Sequence, residues 1–287
     1  MLWLDADEVL PAASAEGLAA LKQSDALPPD VFMLPYQVFF AEDGTCGLWF
    51  YRERLFRRAR GFLWVGAVHE VIVPSGEIRY LDFPVEQRPG VKPASDRNLR
   101  IYRALLQKNG ALSSRDRYYY ARELYDHQET DSAAAQLLQY LDQPEGWVED
   151  KKAACALLAA CYQAAGDWQR QLNALLRALE YDAPGAGLCC AFGQWYCARG
   201  FFQSAAFWFH AALRCEKPMH GFIYEDEYGF LPSIWLCVCY DRLGDLREAR
   251  VWNDRAAVLH PGHPSVLHNQ SYLNGRFGGQ PESAYDR

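Results

Sequence analysis

The sequence lacks the features that would place a protein across a membrane or on nucleic acid. It contains no run of about 18 apolar residues, the length that a membrane-spanning helix needs. Its first residues show no basic segment followed by a long apolar one, which argues against a secretory signal. Positive charge is not in excess, because the net charge is −7. These absences argue against a membrane span and against nucleic acid as a partner, and they predict a cytoplasmic protein.

Paired C-x-x-C motifs are also absent, although the chain has nine cysteines. Cys189-Cys190 and Cys237-x-Cys239 are the spacings closest to a metal motif. In a reducing compartment a buried thiol is more common than a metal ligand. We therefore predict that these cysteines pack in a hydrophobic core.

The first 93 of the 287 residues show the short, irregular pattern of a mixed α/β region. Segments rich in aromatic and β-branched residues are separated by Gly, Pro and Asp, as is typical of strands. One helix is predicted here, at about residues 14–22, with Ser14 as its N-cap. The strand-like segments are VFML and QVFF between residues 31 and 40, GLWFY at 47–51, FLWV at 62–65 and VIV at 71–73.

From residue 94 onward the pattern becomes helical, first as a connecting helix over residues 94–112 and then as a repeat over 113–273. Three glycines, Gly166, Gly200 and Gly244, each follow a tyrosine by four residues and precede an alanine by twelve. This spacing predicts tetratricopeptide repeats, each of two antiparallel helices with a glycine at the turn. A weaker first unit has Ala121 and Ala133 at its small positions. Residues 274–287 are polar and Gly-rich and are predicted to be a disordered tail.

Acidic residues follow an apolar run at the start of the chain, in MLWLDADEVLP. The carboxylates of Asp5 and Asp7 are hard oxygen ligands of the kind that bind Mn²⁺ or Mg²⁺, and such an ion neutralises a diphosphate. The same pattern also fits a solvated turn or a helix cap. Residue types alone leave both interpretations open.

The order of several short motifs resembles a known enzyme family. WLDADEVLP, RERLFRR and WVGAVHE are followed by SDRNLRIY, YYYARELYDH, CYQAAGD and LCVCYDRLGD. Together they are similar to the family 2 glycosyltransferases of GT-A fold that carry a C-terminal tetratricopeptide domain. The resemblance implies part of a GT-A-type mixed α/β sheet followed by an all-α tetratricopeptide solenoid.

The resemblance also implies roles for the acidic turn. By position in the family motifs, Asp5 and Asp7 would bind the nucleotide-sugar donor, a UDP-sugar, and its Mn²⁺ or Mg²⁺ ion. His69 would be a further metal ligand, since a neutral imidazole is available near physiological pH.

Three more residues receive roles in the same way. Glu70 would be the catalytic general base, and Arg54 and Arg57 would bind the phosphates of the donor. The structural alternatives are that His69 and Glu70 only tie two loops together, and that Arg57 lies on a solvated strand edge.

Two departures from the family pattern qualify these expectations. The Asp-x-Asp motif of the family lies midway through the sugar-nucleotide domain, whereas here it comes at the start, which predicts an N-terminally truncated transferase with little activity alone. Gln87 stands where related sequences tend to have a histidine, and an amide is a poor metal ligand. The main functional prediction is nevertheless metal-dependent sugar transfer to an acceptor.

The alternative prediction is a non-catalytic protein-binding module in which the N-terminal strands are a remnant. A repeat groove would then bind a peptide or protein through Tyr118, Tyr119, Trp195 and Trp208, although aromatics at helical spacing are more often core. The repeat domain or the apolar run at residues 2–4 could also form a homodimer. The inserted segment MHGFIYEDEYGF is predicted to be a surface loop that reaches back to the N-terminal half.

Overall fold

A computed structural model describes residues 1–23, 29–41, 44–88 and 95–278. The chain divides into two compact units: Met1–Ala174 with Pro218–Ile223, and Leu175–Lys217 with the residues from Tyr224 onward. The strands are β1 (Glu8–Val9), β2 (Val31–Phe40), β3 (Cys46–Phe56), β4 (Trp64–Val65), β5 (Val71–Ile72), β6 (Ile78–Tyr80), β7 (Val85–Gln87) and β8 (Ile223–Tyr224). The helices are α1 (Ala12–Lys22), α2 (Arg97–Asn109), α3 (Ser114–Asp126), α4 (Thr130–Leu141), α5 (Val148–Ala164), α6 (Trp168–Ala178), α7 (Ala186–Ala198), α8 (Phe202–Ala212), α9 (Phe230–Leu243), α10 (Leu246–Leu259) and α11 (Pro264–Gly278).

The sheet of the first unit is built on strand β2. It pairs antiparallel with β3 on one side, and parallel with β6 and then β7 on the other. Pro35 interrupts the sequence of β2 but not the strand, because it falls between Met33, where the pairing with β6 ends, and Tyr36, where the pairing with β7 begins. A proline lacks the N–H that a central strand needs, so this gap is where it can be tolerated.

The alternation of side chains along β2 produces two cores. Val31 and Met33 point to one face, where they pack with residues of β3 and β5. Phe32, Leu34 and Tyr36 point to the other face and pack with residues that include two leucines of α1. Both faces of residues 31–36 are covered, so this part of β2 is buried, which explains its apolar sequence.

Helix α1 begins earlier than its sequence predicts. It starts at Ala12, and its N-cap is Pro11 rather than Ser14. Ser14 is buried instead, and its hydroxyl donates to the Pro84 carbonyl oxygen at 2.9 Å. The serine therefore ties the helix to the segment before β7.

The predicted helical repeats are present as the pairs α3/α4, α5/α6, α7/α8 and α9/α10. Gly166, Gly200 and Gly244 all have left-handed backbones, with φ of 70°, 77° and 88°. In each turn the amide after the glycine donates to the carbonyl of the tyrosine that the sequence repeat marks: Asp167 to Tyr162, Phe201 to Tyr196 and Asp245 to Tyr240, at 2.9, 3.0 and 2.9 Å. Glycine is favoured at this position because the hydrogen bond closes a left-handed turn that other residues adopt with strain.

The first repeat has the same turn without a glycine. Gln128, with φ of 64°, stands between α3 and α4, and the next amide, of Glu129, donates to Leu124 O at 2.8 Å. Ala121 and Ala133, the small residues predicted for this unit, are both fully buried. The first repeat therefore lacks the turn glycine of the other repeats but has the same backbone conformation.

The core of the second unit explains its small residues and its thiols. Gly193 lies against the Phe209 ring, and a Cβ atom at this glycine would be 2.6 Å from it. Cys189, Cys190 and Cys237 are buried in the same core. Burial raises the pKa of each of these thiols, which keeps them protonated.

Two segments differ from their predictions. The inserted segment is ordered into β8 and a 3-10 turn over Glu225–Tyr228 rather than a plain surface loop. Helix α11 continues to Gly278, into the segment predicted to be a disordered tail, and the rest of that tail lies outside the described residues. The predicted boundary at residues 93 and 94 also lies outside them.

The repeated turn leads to a prediction on stability. Gly200→Ala should lower the free energy of unfolding by about 1 kcal/mol, because alanine adopts a left-handed backbone with strain while no neighbour restricts its side chain. Gln128→Gly should raise it by about 0.5 kcal/mol, since relief of strain exceeds the added entropy of the unfolded chain. Urea denaturation measures both changes, and a loss of stability in Gln128→Gly would contradict the account of the turn.

Candidate functional site

The acidic turn at the start of the chain is held by a buried ion pair. Arg54 on β3 donates through both terminal nitrogens to Glu8, at 2.7 and 2.8 Å, and neither side chain is exposed. The guanidinium also lies over the rings of Trp3 and Tyr36, with its carbon 4.2 and 4.6 Å from their centroids. Burial raises the pKa of Glu8, but the hydrogen bond and charge of Arg54, together with hydrogen bonds from the Asp5 amide and Tyr36, outweigh it, so the pKa of Glu8 is lowered.

The two predicted metal-binding aspartates belong to the same turn. The carboxylate of Asp5 lies 3.9 Å from Arg52, and that of Asp7 accepts from the Gln87 amide at 3.4 Å. The described part of the chain contains no group of three or more His, Cys, Asp or Glu side chains that could hold a metal ion. Binding of Mn²⁺ or Mg²⁺ at Asp5, Asp7 and His69 stays a prediction.

The other predicted site residues contact different partners. Arg57 pairs with Asp30 at 3.6 Å, and His69 Nε2 lies 3.0 Å from the Glu123 carboxylate. Glu70 has an exposed side chain, and its carbonyl oxygen accepts from Arg52 at 3.5 Å. The structure thus places Asp5 and Asp7 in one turn, which Arg54 contacts from β3 through Glu8, and places the other three outside it. The catalytic and donor-binding roles of these residues are not tested by these contacts.

His69 attaches the loop at residues 66–70 to the first helix of the repeats. Its ring stacks on that of Tyr119, with centroids 4.8 Å apart, and its carbonyl accepts from Arg115 at 2.7 Å. Glu123, which faces His69, also accepts from the side chain of Asn98 on α2 at 2.9 Å. The left-handed backbone of His69, with φ of 54°, is therefore stabilised by contacts on both sides of the ring and at the main chain.

The inserted segment reaches back to the N-terminal strands, as the sequence predicts. The ring of Phe222 lies 4.7 Å from that of Phe50 on β3, and His220 Nδ1 lies 3.4 Å from the Tyr80 hydroxyl. On the helical side, the Arg122 guanidinium lies 5.4 Å from the Phe222 ring. Burial raises the pKa of the nearby Asp150 to about 6, although the positive charge of Arg122 lowers it in part.

The first unit contains a concave groove among helices α4, α5 and α6. It lies between α4, the end of α5 and the start of α6 and encloses about 590 Å³, part of it open to solvent. Small and apolar side chains line much of it, and polar side chains provide the rest. The lining residues are Thr130, Asp131, Ala134, Ala135, Leu138, Cys161, Tyr162, Ala165 and Arg170.

The polar edge of this groove is fixed by internal contacts. The Arg170 guanidinium is 4.8 Å from the ring centroid of Tyr162, and its Nε donates to the Asp167 carboxylate at 2.6 Å. At the base of the groove, burial raises the pKa of the Cys161 thiol to about 11, so the thiol is neutral and unreactive at physiological pH. The groove can therefore bind a side chain by contact, and its residues suit recognition rather than covalent chemistry.

Solved structures of tetratricopeptide proteins are similar to this chain. A tetratricopeptide repeat protein from Parabacteroides merdae is 13% identical, with 63% of this chain and 66% of that chain covered and a TM-score of 0.50. The APC/C hetero-tetramer Cut9-Hcn1 is 12% identical, covers 63% of this chain and 33% of its own, and also has a TM-score of 0.50. YrrB, described as a tetratricopeptide protein with an unusual peptide-binding site, is 14% identical over 62% of this chain and 84% of its own, with a TM-score of 0.48. No protein-family model matches the chain, and no curated protein does.

These similarities confirm part of the prediction and correct the rest. The helical repeat has the tetratricopeptide fold, whereas no finding supports a GT-A domain or a UDP-sugar as a partner. The main prediction, metal-dependent sugar transfer, is wrong: the similar structures are tetratricopeptide proteins. None of the helices in the described part of the chain has the length and apolar character needed to cross a bilayer.

The groove lining predicted from the sequence is wrong in part, because Tyr118 and Trp195 are buried. Sequence reasoning also missed the residues that line the groove between α4, α5 and α6, and the partner of Arg54. The groove is signalled by DSAAAQLL in α4, where consecutive alanines leave space on the helix surface. Glu8 was recognisable as a third carboxylate of the acidic turn, but its partner lies on β3. Nothing in the local sequence specifies which basic residue it meets.

The buried ion pair leads to a prediction on stability and pH. Glu8→Gln should lower the free energy of unfolding by about 3–5 kcal/mol at pH 7, because the Arg54 charge stays buried without its counterion. Folding lowers the pKa of Glu8. The difference in unfolding free energy between the wild type and Glu8→Gln should therefore shrink as pH falls below about 4.3, the usual pKa of glutamate.

Glu77→Gln is the matched control for this experiment. Glu77 pairs with Arg79 on the same sheet, but both side chains are about half exposed, so the change should be under about 1 kcal/mol. Urea denaturation at pH 7 and pH 4 distinguishes the two variants. Equal effects of Glu8→Gln and Glu77→Gln would show that the buried pair does not stabilise the sheet.

Proposed function

We propose that this chain is a tetratricopeptide protein-binding module that recognises an extended segment of another protein in the groove between α4, α5 and α6. The observation that carries the proposal is the concave, largely apolar lining of that groove within the first unit. Ligand sites in proteins are characteristically concave and apolar with a few fixed polar groups. Repeat proteins of this class use such surfaces for binding.

The lining residues indicate which chemistry the groove suits. Alanines at 134, 135 and 165 leave room for an apolar side chain of the partner, and Leu138, which is 39% exposed, supplies an apolar wall for it. Asp131 and Arg170 carry opposite charges on the same groove, so they suit the polar main chain or a neutral polar side chain beside the apolar one. A strongly charged ligand would meet repulsion from one of them.

The similar structures support this proposal at the level of fold. Cut9-Hcn1 is by its name a hetero-tetramer, an assembly of different proteins. The sheet of the first unit then serves to cover and position the first repeat rather than to bind a sugar donor. The internal contacts of Arg170 keep its side chain in place before a partner arrives, which lowers the entropy that binding costs.

Ala135→Arg tests the groove directly. Peptides selected on the purified wild-type protein from a random-peptide phage library are labelled, and their affinities are measured by fluorescence polarisation. The bulky side chain of Ala135→Arg should fill the groove and weaken binding at least about tenfold, because the partner's apolar side chain loses its site.

Ser132→Arg is the matched control, since it adds the same side chain to an exposed position of the same helix outside the groove lining. It should leave peptide affinity within about twofold. Selected peptides that bind Ala135→Arg as tightly as wild type would show that recognition happens elsewhere.

A further inference from the structure

The β4–β5 hairpin exposes a cluster of large apolar side chains towards its open end, away from the loop at residues 66–70. Leu63 is 76% exposed, Trp64 49%, Val65 51% and Val73 59%. Single exposed apolar residues are ordinary, but adjacent ones in a group mark an interaction site. In the following paragraphs these four residues are called the apolar tip.

The two faces of the hairpin differ, because Ile72 is buried against β2 and β3 on one face while Val65 is half exposed on the other. Trp64 is opposite Ile72 and Val65 is opposite Val71, and successive strand residues point to opposite faces. Trp64 contacts the ring of Trp3 at 4.7 Å between centroids and is still half exposed. One face of the hairpin is thus packed on the protein, and the exposed side chains can only meet a partner from outside.

Basic residues immediately precede the apolar tip. Arg57, Arg58 and Arg60 are all exposed, and no acidic residue occurs between positions 57 and 67. Arg57 and Arg60 share a single carboxylate, that of Asp30, at 3.6 and 3.5 Å. Arg58 has no ion-pair partner among the described residues. Among the described residues, the three arginines beside the apolar tip thus have one paired carboxylate between them, in a chain whose net charge is −7.

We propose that the apolar tip and these arginines form a docking site for an anionic lipid surface. Tryptophan and leucine partition into the boundary between headgroups and acyl chains, and arginine is attracted to anionic headgroups. A second copy of the chain fits poorly, because two such sites would bring their arginines together. The acidic remainder of the molecule would be repelled by the same surface, so only the hairpin would be presented to it.

Vesicle flotation tests this proposal with the full chain. The protein should float with vesicles of phosphatidylcholine and phosphatidylglycerol, float far less with phosphatidylcholine alone, and dissociate as salt is raised. Leu63→Glu should lower the partition coefficient at least about tenfold, because the membrane-bound protein loses a leucine that is buried in the bilayer. Arg58→Gln should lower it about fivefold, the effect of one basic residue near an anionic surface.

Val258→Glu is the control, since it places the same charge at a position that is 83% exposed on α10, in the other unit of the chain. It should float as the wild type does. Absence of flotation with anionic vesicles, or equal flotation of Leu63→Glu and wild type, would overturn the proposal. A third result would also overturn it: the wild type forms a dimer that does not float, and Leu63→Glu dissociates this dimer. The apolar tip would then be a contact between copies of the chain.

Discussion

A helical repeat buries its apolar faces against its neighbours, and the first repeat of an array therefore needs a cover. In this chain the cover is partly helical and partly a sheet. Leu99 and Tyr102 of α2 are buried, with Tyr102 5.8 Å from the Tyr120 ring of α3, and the loop that carries His69 binds the same helix. The sheet and the first helices consequently form a single compact unit, and the position of every surface described above depends on that attachment.

The functional proposals use two surfaces of this unit that differ in their physical chemistry. The groove is concave, with alanines that leave space and an arginine already held by an aspartate, so it favours one partner side chain at a defined place. The apolar tip exposes large apolar side chains next to arginines of which two share one carboxylate, so it favours an extended anionic surface. The two can act together, since lipid docking would restrict where a protein partner is captured.

Parts of this structure follow from local sequence and parts do not. The turn glycines are predictable because a left-handed backbone demands a specific residue type, and the helices of each repeat follow from their position. The first turn cannot be predicted in this way, because it has the same left-handed backbone but carries Gln128 in place of a glycine. Ser14 shows the converse, because a residue suited to an N-cap is buried against Pro84 instead.

The acidic turn shows why site chemistry is harder to predict than fold. Carboxylates after an apolar run have the same appearance whether they meet a metal, water or a guanidinium, and Glu8 meets Arg54, which is distant in sequence. The order of motifs suggested a transferase, whereas the similar structures share only the helical repeat. Contacts between distant residues decide such sites, and a pattern of residue types does not specify them.

Native-state hydrogen exchange on the full chain tests most directly whether the sheet and the first repeat are one folded unit. The account predicts that the protected amides of β2 and of α3 open with the same free energy and the same dependence on denaturant, because each element loses its cover when the other unfolds. Exchange of β2 at a free energy more than about 2 kcal/mol below that of α3 would contradict it, since the sheet would then unfold while the repeats remain intact.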